Sequence, residues 1–275
     1  SECTFGPDGK MYNGIVEIDG GYYYYNMGRP EMAGLIEIDG DYYFAKDGKG
    51  TIVTNRVYYN WKSNGLLPEG DYNFGADGKM TDGIVEVDGS LRYYVDGKPR
   101  MAGLFEFNGD YYFAKDANGT IITDRTYYVW KGNGILANGT YRFDETGRLL
   151  GLKNVDGQLV YGEICDVDGV LYYYKAGKGS AAGVIEIDGY YYNAGSNGKL
   201  SVGSGYVANG NGIVNTGTFM FNEDGKMFGI KKVDGQLVYG EIAEVDGVKR
   251  YYEKGKAVEA GLVEIDGYYY NARAN

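Results

Sequence analysis

The sequence predicts an all-β fold, a β-hairpin solenoid with no substantial helix. Asp-Gly and Asn-Gly steps recur along the chain between short apolar runs, and such steps are typical of two-residue hairpin turns. The 275 residues include 31 tyrosines and 47 glycines but only four prolines, which suits short strands and tight turns. Apolar residues are spaced by two positions rather than by 3.6, which favours strands over helices.

The first hairpin shows how each element is expected to form. A type I′ turn at Asp19-Gly20 pairs four successive positions: Ile18 with Gly21, Glu17 with Tyr22, Val16 with Tyr23, and Ile15 with Tyr24. An isolated hairpin is marginally stable in water, and this one has apolar groups on both faces. Stacking successive hairpins would cover both faces, as it does in repeat proteins.

The chain is predicted to be a single repeat array over residues 1–275. The segment "FGPDGKMYNGIVEIDG" at Phe5 returns 69 positions later as "FGADGKMTDGIVEVDG" at Phe74, and further copies begin at Phe143 and Phe221. The repeat units are approximately 5–73, 74–142, 143–220 and 221–275, the last of them truncated. Copies three and four each contain an added short hairpin, "VDGQLVYGE".

Charge and composition limit the partners of this chain. The net charge of −11 disfavours nucleic acid, which requires a basic surface. No apolar run approaches the roughly 18 residues of a membrane-spanning helix, so no membrane insertion is expected.

The start at Ser1 suggests a mature or excised fragment. We favour two separate thiols for Cys3 and Cys165, with one long-range disulfide as the alternative.

The sequence gives little support to catalysis. It contains no histidine, which excludes Ser-His and Cys-His dyads and any histidine-containing metal site. Most notable acidic residues occupy one repeated strand position or precede the glycine of a turn. Catalysis needs one asymmetric site, whereas an array replicates the same environment. We therefore predict no enzyme activity, no catalytic residue, no metal and no cofactor.

The segment "GIVEIDGGYYYYNMGRPEMAG" resembles the cell-wall-binding repeat superfamily, whose typical form is Gly-Trp-x-x-x-x-Gly-x-Trp-Tyr-Tyr-Phe followed by Asp-Gly. That superfamily includes choline-binding modules, glucan-binding repeats and the combined repetitive oligopeptides of large clostridial toxins. The pattern is most similar to the toxin type, which mixes short repeats with a longer one, here Thr51–Asp82. The resemblance implies a β-hairpin solenoid that binds surface glycans or cell-wall polymers outside the cell.

One departure from the superfamily concerns choline. Choline-binding modules hold the quaternary ammonium in an aromatic cage built partly from the Trp after the repeat glycine. The corresponding positions in this chain carry aliphatic residues: Ile15, Leu35, Ile84, Leu104, Val184 and Leu262. Choline-type binding is therefore kept only as a minor alternative.

The longer element supplies the leading candidate for a ligand site. In copies one and two it contains the two tryptophans of the chain, Trp61 in "RVYYNW" and Trp130 in "RTYYVW", whereas copy three has Ala208 at the same position. Because a buried Trp replaced by Ala costs about 3–5 kcal/mol, either the tryptophans are partly exposed or copy three is repacked. An exposed Trp could stack on a sugar. The candidate residues are Arg56, Tyr58, Tyr59 and Trp61 in copy one, and Arg125, Tyr127, Tyr128 and Trp130 in copy two.

The tyrosine runs divide into constant and variable positions. Constant tyrosines are expected to pack between hairpins: Tyr24, Tyr25, Tyr93, Tyr94, Tyr173, Tyr174, Tyr251 and Tyr252, and the second-hairpin pairs Tyr42–Tyr43, Tyr111–Tyr112, Tyr191–Tyr192 and Tyr269–Tyr270. Positions where Tyr exchanges with Arg indicate either an ordinary solvated face or a second ligand surface. The candidates there are Tyr22, Tyr23, Arg92, Tyr172 and Arg250.

The sequence thus favours a non-catalytic extracellular module, secreted or attached to the cell surface, that binds surface glycans or cell-wall polysaccharide. Several weak sites along a rod would gain avidity together. The alternative is a structural or protein-binding stalk of a larger secreted protein. A further expected partner is a catalytic or adhesin domain of the parent chain, upstream of this fragment.

Overall fold

The computed structural model describes residues 3–273 and contains thirty strands. Those of copy one are β1 (Gly14–Ile18), β2 (Gly21–Asn26), β3 (Arg29–Pro30), β4 (Gly34–Ile38), β5 (Asp41–Ala45), β6 (Arg56–Asn60) and β7 (Gly70–Phe74). Those of copy two are β8 (Gly83–Val87), β9 (Ser90–Val95), β10 (Lys98–Pro99), β11 (Gly103–Phe107), β12 (Asp110–Ala114), β13 (Arg125–Val129) and β14 (Gly139–Phe143).

Copies three and four contain the remaining strands. In copy three they are β15 (Leu152–Val155), β16 (Gln158–Tyr161), β17 (Glu163–Val167), β18 (Val170–Lys175), β19 (Lys178–Gly179), β20 (Gly183–Ile187), β21 (Tyr190–Ala194), β22 (Gly203–Val207) and β23 (Gly217–Phe221). In copy four they are β24 (Ile230–Val233), β25 (Gln236–Tyr239), β26 (Glu241–Val245), β27 (Val248–Glu253), β28 (Lys256–Ala257), β29 (Gly261–Ile265) and β30 (Tyr268–Ala272).

These strands confirm the predicted all-β hairpin fold. Between residues 3 and 273 the only helical element is a single 3₁₀ turn, Ser196–Gly198. The strands β1 and β2 pair in the predicted register, from Ile18 opposite Gly21 to Ile15 opposite Tyr24. Asp19 and Gly20 have φ values of 50° and 76°, as a type I′ turn requires. The Asp-Gly steps therefore fix the register of the hairpins.

The chain divides into two compact units. The first contains the residues up to Phe107 together with Tyr112–Thr123 and Trp130–Ala137. The second contains Asn108–Tyr111, Asp124–Val129 and the residues from Asn138 onward. The single array and its four repeat boundaries remain predictions from the sequence.

Each unit has a core assembled from consecutive hairpins. In the first unit Leu35, Phe44, Val53, Tyr72 and Phe74 are buried in one cluster that draws on strands β4, β5 and β7. The corresponding cluster of the second unit contains Val184, Tyr191, Val207, Phe219, Phe221, Met227 and Ile230. The faces that a hairpin cannot cover alone are thus covered by its neighbours.

Backbone hydrogen bonds from a loop connect one hairpin to the next. In copy one the Tyr24 N–H donates to the Gly50 carbonyl at 2.7 Å, and the Ile52 N–H donates to the Tyr22 carbonyl at 2.9 Å. Gly50 has a φ of 71°, and a Cβ there would lie 2.2 Å from the Tyr24 carbonyl oxygen. Only glycine therefore allows this close approach.

Most of the constant tyrosines pack as predicted. Tyr25, Tyr94 and Tyr252 are buried and Tyr174 is half-buried. Tyr269 and Tyr270 contradict the prediction because both are exposed. Among residues 3–273 no further hairpin lies against β30, whereas the equivalent tyrosines of the earlier copies contact the elements that follow them.

Copy three contains a partly buried network of charges in the second unit. The Arg148 guanidinium lies 2.8 Å from Glu163, 3.1 Å from Asp144 and 3.9 Å from Asp110. Glu163 also accepts the Gly151 N–H at 3.1 Å, so it holds the glycine that precedes β15.

The thiol of Cys165 lies close to this network. Burial and then the charge of Glu163 raise the pKa of Cys165 to about 12, so this thiol stays protonated. Cys3 and Cys165 are both free thiols in the structure.

We expect Arg148→Met to destabilise copy three by about 1–3 kcal/mol, because it removes the ion-pair partner of Asp110 and Asp144 and leaves Glu163 only the more distant Lys153, at 3.9 Å. The matched control is Lys226→Met in copy four, where the lysine has one ion pair, to an exposed aspartate, and a cost below about 1 kcal/mol is expected. Urea unfolding measures the loss of stability in both variants, and hydrogen exchange at Gly151 reports the local effect of Arg148→Met. Equal losses for the two variants would contradict a stabilising role for the network.

We expect Asn60→Val to stabilise the protein by about 1 kcal/mol. Asn60 is fully buried and its Oδ1 has no hydrogen-bond partner, while the same position holds buried Val129 and Val207 in the later copies. The change removes the hydrogen bond that the Asn60 Nδ2 donates to the Pro68 carbonyl at 3.3 Å, but that carbonyl still accepts from the Tyr72 hydroxyl at 2.8 Å. Urea midpoints would show it, with Val129→Asn as the reverse control, and a loss of stability in Asn60→Val would refute the expectation.

Candidate functional site

An aromatic stripe lies on the solvent face of β6 in copy one. Side chains of this strand alternate, so Tyr58 and Asn60 point to the core while Val57 and Tyr59 point outward. Trp61 continues the outward series directly after the strand. Val57, Tyr59 and Trp61 are 61%, 51% and 40% exposed. We call these three residues the Trp61 stripe.

Trp61 is exposed but held in place by a buried ring. Its indole stands edge-on to Phe44, with centroids 5.6 Å apart and planes at 73°. Phe44 is fully buried and also contacts Tyr58, at 5.1 Å between centroids. Tyr58 therefore supports the stripe from the core, and Tyr59 and Trp61 offer the accessible ring surface.

An asparagine clamps the loop that follows Trp61. The Asn64 Nδ2 donates to the carbonyls of Ala33 and Leu35, both at 2.7 Å, and the Leu35 N–H donates to the Lys62 carbonyl at 2.8 Å. Asn64 has a φ of 52°, which Asn tolerates better than most residues. The same clamp recurs in the later copies, from Asn133 to Ala102 and Leu104 and from Asn211 to Ala182 and Val184.

Copy two repeats the contact between the exposed tryptophan and a buried phenylalanine. Trp130 is 41% exposed and meets buried Phe113 edge-on, at 5.9 Å and 90°. Tyr128 is exposed and Tyr127 is half-buried, as at the equivalent positions of copy one. The two predicted arginines, Arg56 and Arg125, are both exposed.

Copy three replaces the ring pair as a unit. Ala208 stands at the Trp position, and the buried phenylalanine position is taken by Asn193. The Asn193 Nδ2 donates to the Ser201 hydroxyl at 2.8 Å and to the Tyr206 carbonyl at 3.1 Å, so the buried amide is satisfied. The sequence offered exposure of the tryptophans or repacking of copy three as alternatives, and both occur.

The remaining predicted site residues are half-buried. Tyr22 packs against the cluster around Tyr43 and Ile52, and Tyr23 forms a bridge with Thr51. Arg92 has a buried Nε without a partner. The other two candidates line separate cavities, Tyr172 one of about 560 Å³ and Arg250 one of about 1060 Å³. The structure therefore does not bring these five residues together.

Sequence reasoning missed three supporting residues. Val57 completes the exposed stripe without belonging to the predicted set, and neither Phe44 nor Asn64 was connected to Trp61. The joint loss of Phe and Trp in copy three was a usable signal for the first contact. For Asn64, the Asn-Gly step already had an explanation as a turn, which concealed its second role as a clamp.

Comparison with known proteins gives limited similarity. No family model matches the chain. Over 223 residues it is 28% identical to glucosyltransferase-S of Streptococcus mutans, a match that covers 66% of this chain and 15% of that protein. The chain thus corresponds to a small part of the curated relative.

Two of the solved structures that match this chain are CbpJ, from Streptococcus pneumoniae, and choline binding protein F, from the same organism. CbpJ is 17% identical with a TM-score of 0.36, and the match covers 97% of this chain and 93% of CbpJ. Choline binding protein F, solved in the presence of a peptidoglycan analogue, is 19% identical with a TM-score of 0.28, over 95% and 91% of the two chains. Superpositions this loose carry no argument about the site.

Residues 3–273 lack two kinds of feature. No group of three or more Cys, Asp or Glu side chains in this range is arranged to hold a metal ion. No helix in the same part of the chain has the length and apolar character needed to cross a membrane.

We expect a double-mutant cycle between Phe44→Leu and Trp61→Ala to show a coupling of about 1 kcal/mol in stability, because the two rings contact edge-to-face. Pairing Phe44→Leu with Tyr59→Ala is the matched control, since Tyr59 faces solvent, and those effects should add. Urea unfolding of the four variants gives the coupling, and additive behaviour of Phe44 with Trp61 would count against the contact.

Proposed function

We propose that this chain is a non-catalytic, extracellular repeat module that binds carbohydrate or a cell-wall polymer. The single observation that carries the proposal is the Trp61 stripe, an exposed aromatic surface fixed by Phe44 beneath it and by the Asn64 clamp beside it. An exposed Trp that served only packing would not need to leave two fifths of its surface in solvent.

Carbohydrate suits the chemistry of the stripe. The apolar face of a pyranose stacks on Tyr and Trp rings, and hydroxyl groups at its edge hydrogen-bond to neighbouring polar side chains. Arg56 is exposed at the start of β6 and Asp71 is paired opposite Tyr59, so donors and acceptors both flank the rings. Rings that are exposed along the outer face of a strand suit one face of a polymer better than a small enclosed ligand.

The curated relative supports the same class. A streptococcal glucosyltransferase, named for transfer of glucose, shares 28% identity over two thirds of the chain. We infer that the chain is a member of the cell-wall-binding repeat superfamily and acts at a cell surface. Any catalytic activity would reside in another part of a larger protein, of which this chain would be a binding segment.

The structure does not favour the choline alternative. Of the six positions that would carry the cage tryptophan, Leu35, Leu104 and Val184 are buried in the core, Ile15 and Ile84 are half-buried, and Leu262 is exposed. A quaternary ammonium could not reach the three buried positions without opening the hairpins, and none of the six positions carries the aromatic ring that a cage needs. The protein-binding stalk remains as the competing hypothesis that the binding experiment must exclude.

We expect Trp61→Ala combined with Trp130→Ala to weaken polysaccharide binding at least about tenfold, because stacking on an exposed ring contributes on the order of 1 kcal/mol per site and the sites act together. Calorimetric titration and affinity electrophoresis against α-glucans, β-glucans and peptidoglycan fragments would measure it. Trp61→Phe with Trp130→Phe should keep most of the affinity.

The matched control is Val202→Ala, which removes exposed apolar surface outside the stripe and should leave binding unchanged. If the native chain binds none of these polymers at millimolar concentration, the carbohydrate proposal fails and the stalk hypothesis gains. Full binding by the double alanine variant would show that the polymer binds at a site other than the two tryptophans.

A further inference from the structure

Copies three and four have the same strand pairing around the added hairpin but carry different side chains beside it. In copy three the Arg148 network fills the space between Asp110, Asp144 and Glu163. Copy four keeps only the glutamate of this set. The equivalent residues are Tyr190 for Asp110, Asn222 for Asp144, Lys226 for Arg148 and Glu241 for Glu163.

The replacements open a recess in copy four. The Lys226 ammonium lies 4.4 Å from the centroid of Tyr190 and 3.3 Å from the exposed carboxylate of Asp224. Glu241 accepts the Gly229 N–H at 2.9 Å, and no cation in the described part of the chain lies within ion-pair distance of it. The charges that meet in copy three are therefore separated in copy four.

Two exposed tyrosines line the same recess. Tyr190 is 39% and Tyr239 43% exposed, and both line the cavity of about 1060 Å³ together with Lys226, Lys231 and Glu241. Lys254 lies over the Tyr239 ring at 4.6 Å. The residues that line this cavity all belong to the second unit.

Two other residues that line the cavity, Lys249 and Arg250, are not part of the site. The same strand in copy one is covered by the loop around Gly50–Ile52, which donates and accepts backbone hydrogen bonds there. In copy one, loop backbone therefore occupies the position that is open beside Lys249 and Arg250. The recess formed by Tyr190, Lys226, Tyr239 and Glu241 is what we call the copy-four recess.

We propose that the copy-four recess is a second carbohydrate site, specific for a neutral pyranose. It is separate from the Trp61 stripe and rests on the proposed function only for the class of ligand. An anionic sugar would meet Glu241, and a cationic ligand would meet Lys226 and Lys231. A neutral sugar avoids both conflicts, since its hydroxyl groups can donate to Glu241 and accept from Lys226 while its apolar face lies on a tyrosine ring.

The test transfers the residues of copy three to copy four. The triple substitution Tyr190→Asp, Asn222→Asp and Lys226→Arg should rebuild the ion network and close the recess without loss of stability, since copy three carries the same residues on equivalent strands. Tyr190→Ala with Tyr239→Ala is the second variant, which removes the rings but leaves the recess open. The matched control is Tyr161→Ala, the equivalent of Tyr239 in closed copy three.

Binding is measured on the full chain carrying Trp61→Ala and Trp130→Ala, so that only other sites contribute. The probes are an α-1,6-linked glucose oligosaccharide, a β-1,4-linked glucose oligosaccharide and a polyuronate of similar length, followed by calorimetry and saturation-transfer NMR. We expect residual binding of a neutral oligosaccharide that falls at least about tenfold in the closed triple variant and in the double tyrosine variant, a change of about 1.4 kcal/mol. Tyr161→Ala should not alter it.

The outcomes separate this proposal from the proposed function. Binding by the native chain that disappears entirely with the two tryptophans would overturn the copy-four recess but keep the glycan module. Residual binding that survives closure would overturn the recess as a binding site. A preference for the polyuronate would overturn its specificity for a neutral sugar. Absence of any binding by the native chain would overturn both proposals.

Discussion

A two-stranded hairpin with apolar side chains on both faces cannot bury either face alone, and every other feature of this protein depends on that constraint. The two-residue Asp-Gly turns fix which residues oppose one another, and the following hairpin or loop must then cover what remains. Gly50 shows how tight the cover is, because a backbone carbonyl occupies the space that any side chain would need. Stability is therefore distributed over many short connections instead of one large core.

The same constraint decides where a ligand could bind. Side chains that face a neighbouring hairpin are committed to packing, as Tyr22 and Tyr58 are. The outer face of the longer element is not needed for that packing, and Val57, Tyr59 and Trp61 lie there. The ring of Phe44 connects the two roles, since it belongs to the core and also fixes the orientation of the exposed indole.

The sequence was sufficient for the fold because turn chemistry is local. Asp-Gly and period-two patterning specified the register of β1 and β2 residue by residue, and repetition identified Tyr25, Tyr94 and Tyr252 as packing positions. Solvent exposure depends on what covers a strand from elsewhere in the chain, and repetition does not report it. Variable positions such as Tyr22 and Arg92 therefore looked like surface, although a loop or an adjacent strand half-buries them.

Divergence between copies costs this architecture little, and that is the physical reason why one scaffold can carry different surfaces. A partly buried ion network such as that of Arg148 contributes little net stability over well-packed alternatives, because desolvation offsets much of the attraction. Copy four can thus replace its members while the ladder hydrogen bonds of β24 and β25 remain as in β15 and β16. Copy three replaces the Phe and Trp pair in a similar way, and the buried Asn193 there satisfies its amide with local hydrogen bonds. Sites can consequently be gained or closed one copy at a time, provided that the turns and the glycines of close approach are retained.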